Sequence, residues 1–121
     1  MKKILCTILA LTIALANAAS AQSSSNGTET VMFLHYTNTG IVTVYVPINV
    51  TTHAPVINIP ACATNIGNTY DYVFDSTTPA GKTLLAAVLS ANLAGTGVGL
   101  QGTGDCGLVS GNETLLGMYQ N

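Results

Sequence analysis

The sequence predicts an α+β domain: a small, strongly curved antiparallel β-sheet, or a partly open barrel, packed on one long helix at about residues 79–94. Three observations predict it. Only Thr78 to Gly95 combines helical start and stop signals with helical apolar spacing. The segments around it are short, β-rich and broken by Gly, Pro and Asn. One helix late in a run of strands gives the order β-β-(β)-β-α-β-β, which fits a small curved antiparallel sheet or partly open barrel packed on one helix.

Residues 1–21 read as a signal peptide. Met1-Lys2-Lys3 is a basic start, Ile4 to Ala16 is an apolar run, and Ala19-Ser20-Ala21 is an A-x-A cleavage site. The apolar run is shorter than a typical spanning helix, and no later segment supplies one. The expected product is secreted or periplasmic, without membrane insertion. Gln22 to Thr28 reads as a flexible polar leader, and residues 29–121 as a single domain. Removal of Cys6 with the signal leaves Cys62 and Cys106, an even pair in an oxidising compartment, and a disulfide is expected. Its loop encloses the helix, and closing it contributes about 4 kcal/mol in the chain-entropy model.

The first strand reads from Thr30 to Thr37, β-rich on both faces. Asn38-Thr39-Gly40 is turn chemistry. Ile41 to Val50 alternates, with Val42, Val44, Val46, Ile48 and Val50 on one face and Thr43, Tyr45, Pro47 and Asn49 on the other. Pro47 points to an edge or a bulge. Val56 to Ile59, bracketed by Pro55 and Pro60, is expected as a short extended segment at a sheet edge. Thr69 to Phe74 is a strand with Tyr70, Tyr72 and Phe74 on one side. In the helix, Thr78 is the cap, Pro79 suits the first position and Gly95 closes it. Leu84, Ala87, Val88 and Ala91 form a core stripe. Leu85, Leu89 and Leu93 form a second apolar line, covered either by the chain's own loops or by copies in a homo-oligomer. A glycine-rich strand follows over 96–102, then a turn region near Cys106, then a closing strand from Glu113 to Tyr119.

Composition removes several functions. After processing, one cation, Lys82, faces five carboxylates. That is no footprint for nucleic acid or for an anionic membrane. Gly81-Lys82-Thr83 resembles the end of a phosphate-binding loop, but Ser76 stands where the motif needs its first glycine. His35 and His53 read as structural or exposed, and no cofactor, metal or catalytic set is expected. The Asn-x-Thr sequons at Asn26, Asn49 and Asn112 are taken as chance in a Thr/Asn-rich chain with a bacterial-looking leader.

The neutral polar surface points elsewhere. Tyr36, Asn38, Thr43, Tyr45, Tyr70 and Tyr72 combine flat aromatic faces with uncharged donors and acceptors, which is what a sugar-binding surface needs. The competing explanation is that exposed strands are ordinarily rich in Thr and Tyr.

From Tyr70 onward the chain resembles a group of small exported bacterial proteins. The residues that carry this are Tyr72-Val73-Phe74-Asp75, Thr78-Pro79-Ala80-Gly81-Lys82, the Leu/Ala helix to Ala94-Gly95, Gly102-Thr103-Gly104-Asp105-Cys106 and Asn112-Glu113-Thr114-Leu115. Some of that group resemble the B subunits of pentameric bacterial toxins, especially the subtilase cytotoxin type. The resemblance implies an oligonucleotide/oligosaccharide-binding (OB) fold, a disulfide and a helix facing the centre of an oligomer. It carries no glycan-pocket residue onto a position here. The expected function is therefore an exported, non-catalytic binding module for a glycan or a cell-surface receptor. The alternative is a structural or envelope-associated protein without small-ligand recognition.

Overall fold

The computed structural model describes residues 33–119. The expected signal peptide, the leader and the start of the first strand lie outside the described residues. The elements are β1 (Phe33–Tyr36), β2 (Ile41–Pro47), β3 (Thr69–Asp75), α1 (Pro79–Ala94), β4 (Gly99–Gly102) and β5 (Glu113–Tyr119). The strands form one five-stranded sheet in the order β1-β2-β3-β5-β4.

Each neighbouring pair is antiparallel except β3 and β5, which run parallel over only Tyr72↔Glu113 and Val73↔Thr114. The α+β class holds, but the sheet is mixed and open rather than wholly antiparallel. The reason is topological. After β3 the chain passes through α1 and enters β4 at the far edge. β5 then turns back into the place beside β3, where it must run in the same direction.

Local chemistry explains the elements. The β1–β2 hairpin closes through Gly40, whose φ of 84° lies in the left-handed region. The Gly40 carbonyl then accepts both the N–H and the hydroxyl of Ser76, which ties this turn to the start of the helix. Thr78 is extended, and its Oγ1 accepts the Gly81 N–H at 3.0 Å. Pro79 opens the helix and Gly95, at φ 64°, closes it. The segment 48–68 carries no strand, and of the edge segment expected over Val56–Ile59 a single bridged residue, Ile57, remains. Asn49 Oδ1 accepts the N–H groups of Thr51 and Thr52 and starts a turn there, while Val56 drops into the core. Cys62 and Cys106 form a disulfide with their Cα atoms 5.9 Å apart.

The core lies between one sheet face and the helix. Val42, Val44 and Val46 from β2 meet Tyr70, Tyr72 and Phe74 from β3, and Val88 and Ala91 of the helix pack with them. Leu100 and Leu115 continue the cluster on the β4–β5 side. Each buried valine contributes about 1.5–3 kcal/mol before entropy. The second apolar line of the helix divides. Leu85 packs against the core with Leu84, whereas Leu93 is 84% exposed.

Candidate functional site

Strand pleating and register sort the side chains of β1, β2 and β3 onto two faces. Val42, Val44 and Val46 lie opposite Phe74, Tyr72 and Tyr70 on the core face, with Leu34 and Tyr36 in line on β1. The outer face therefore carries Phe33 and His35 from β1, Thr43, Tyr45 and Pro47 from β2, and Thr69, Asp71 and Val73 from β3.

The outer face has an aromatic platform. Phe33 lies directly across from Tyr45, and their rings stack with centroids 4.1 Å apart and planes 23° apart. Phe33 is 50% exposed. Tyr45 lies in turn directly across from Asp71. The Thr69 hydroxyl donates to Asp71 Oδ1 at 2.7 Å. Partial burial pushes the Asp71 carboxyl above the usual carboxylate range, against a smaller opposite effect of the Thr69 hydrogen bond. A stacked aromatic surface thus borders an acceptor-rich, partly desolvated carboxyl. Beyond it, Val73 is fully buried, so this face is closed at its middle row.

A groove of about 430 Å³ opens at the other end, where β3 and β5 no longer pair. Phe74, Leu84, Leu108, Leu115 and Leu116 form its apolar walls, with Asp75, Thr78, Asp105 and Thr114 between them. Its carboxylates already serve their own turns. Asp75 Oδ1 accepts the N–H and hydroxyl of Thr77, which holds its carboxyl below the usual range, and Asp105 Oδ1 accepts the Gly107 N–H.

The residues expected to form a sugar-binding surface are not all together. Thr43 and Tyr45 lie on the outer face, and Asn38 is exposed in the hairpin turn beside it. Tyr36 is half exposed but belongs to the core side at the sheet's edge. Tyr70 and Tyr72 require a correction: they are 1% and 0% exposed, and they pack edge to face in the core. A tyrosine can be buried when its hydroxyl finds a partner. The Tyr70 hydroxyl donates to Glu113 Oε2 at 2.6 Å. Glu113, expected at a strand entrance, is itself fully buried, and its Oε1 accepts the Gly104 N–H at 2.7 Å. Gly102 makes room for it, since a Cβ there would collide with the Glu113 carboxyl.

Phe33 and Asp71 are the site residues that sequence reasoning missed. Their signal was parity. If Tyr70, Tyr72 and Phe74 share one face, Asp71 takes the other, with Tyr45, and the hairpin register puts Phe33 across from it.

No family model matches the sequence, and no curated protein or solved structure is significantly similar to it.

Proposed function

We propose that this chain is an exported, non-catalytic recognition module that holds a glycan of a cell-surface receptor on the outer face of β1, β2 and β3. The observation that carries this is the Phe33–Tyr45 stack, half exposed at Phe33, beside Asp71. Flat rings take the C–H face of a pyranose, and a carboxylate accepts its hydroxyl donors. The architecture supports the same reading. Five strands with one helix between the third and fourth accord with an OB-like, partly open barrel. In that fold the strand 2–3 face and the 1–2 and 4–5 loops bind oligosaccharides and oligonucleotides. Oligonucleotides are disfavoured because Lys82 is the only Lys or Arg among the described residues. The A-x-A leader and the intramolecular disulfide support export.

The module assembles, on this proposal, through α1, with copies covering Leu93 as in the toxin B subunits the sequence resembles. Sedimentation at micromolar concentration tests the assembly: wild type runs as an oligomer and Leu93→Glu as a folded monomer. A glycan array probed with the tagged mature chain tests recognition. Reproducible binding that Tyr45→Ala abolishes is the expected result. A blank array for folded protein would leave the structural or envelope-associated role instead.

A further inference from the structure

We infer that the glycan is uncharged where it meets this face, offers two free neighbouring hydroxyls to Asp71, and is rejected once an acidic group is added; this rests on the outer face of β1–β3 being the glycan site. Thr69 occupies Asp71 Oδ1, and Oδ2 accepts nothing from the described residues. An ionised carboxylate has only acceptor positions, so what approaches it must donate. Two hydroxyls of one ring meet that need while the ring's C–H face lies on the Phe33–Tyr45 stack next to it.

Charge excludes the acidic alternatives. Among the described residues, the titratable groups on this face are His35, Tyr45 and Asp71, with Asp75 at its far end, and none of these is an ammonium or guanidinium. Lys82 belongs to α1, which packs on the opposite side of the sheet. A sialic acid carboxylate or a sulfate would meet Asp71 without a counter-charge, in a partly desolvated place where repulsion between like charges is weakly screened.

The test uses the mature chain on matched pairs of glycans, each neutral core printed with and without a terminal sialic acid or sulfate. The expected result is binding to neutral members, a loss of at least tenfold on acidic capping, and a loss of at least tenfold in Asp71→Asn. That variant keeps the side chain's shape and its capacity to accept from Thr69. Equal or better binding of acidic members, or unchanged binding by Asp71→Asn, overturns the inference. If acidic glycans bind and Tyr45→Ala abolishes that binding, the glycan reading survives and only the neutral preference falls. A blank array together with capture of a lysine- or arginine-bearing peptide overturns both.

Discussion

Two aromatic pairs sit on the same small sheet and do opposite things. Tyr70 and Tyr72 meet edge to face with centroids 4.9 Å apart in the core, and the Tyr70 hydroxyl is tied to Glu113. Phe33 and Tyr45 stack on the other face, where Phe33 is half exposed and Tyr45 partly buried. Residue type does not distinguish them, since both pairs contain tyrosine. Pleat parity does: Tyr70 and Tyr72 lie across from valines of the core face, and Tyr45 lies across from Asp71. A surface argument built from tyrosine content alone therefore mixes core packing with exposed surface.

The comparison breaks most visibly in stability. Tyr72→Ala should lower unfolding free energy by about 3–5 kcal/mol, read by urea denaturation, because it empties a fully buried site. A loss as small as that of an exposed residue would mean that the two faces do not differ as described. Tyr70→Phe comes next, at about 1–3 kcal/mol, since it removes a donor from a buried carboxylate. Combined with Glu113→Gln, its effect should be non-additive in a double-mutant cycle. On the outer face, Tyr45→Ala should cost only about 0.2–1 kcal/mol, the worth of a cross-strand pair, while abolishing array binding.

The smallest effect sharpens the electrostatics. Asp71 has its carboxyl raised by burial, so the folded state holds that proton more tightly than the unfolded chain. Its contribution to stability therefore falls as pH rises from the ordinary carboxylate value through the raised one. Asp71→Asn should remove that fall and be slightly more stable than wild type at neutral pH. Asp75 has the opposite sign: its carboxyl is lowered by Thr77, and its contribution disappears as pH falls. Thermal melts of both proteins across the acid range would separate the two.

Much of the fold was legible in local chemistry. Thr78, Pro79 and Gly95 mark both helix ends, and the valine alternation of β2 marks a half-buried strand. What local signals do not carry is adjacency between distant segments. Nothing in Glu113–Tyr119 says that it will lie beside Thr69–Asp75, so the parallel pair was invisible, and with it the Glu113 contact that satisfies the buried Tyr70 hydroxyl. Val56 to Ile59 misled for a related reason. Its alternation is real, but Asn49 folds the preceding backbone into a turn, and Val56 reaches the core with Ile59 packed against it in part. The site was half legible: Tyr45 and Thr43 were found by type, and Asp71 and Phe33 needed the register.

The two-residue junction between β3 and β5 also bears on how the molecule resists being pulled. The sheet has two leaves, β1-β2-β3 and β5-β4, and little backbone ladder joins them. The seam is stitched by other means: the Cys62–Cys106 bond, the Tyr70–Glu113 contact, and the N–H groups of Thr64 and Asn65 on the Gly111 carbonyl. A tether attached to the first leaf would load that seam. With the disulfide intact, the leaves can shear only as far as a covalent staple permits. In reducing conditions the same load would fall on a handful of hydrogen bonds, and the molecule should extend in two steps rather than one under single-molecule force.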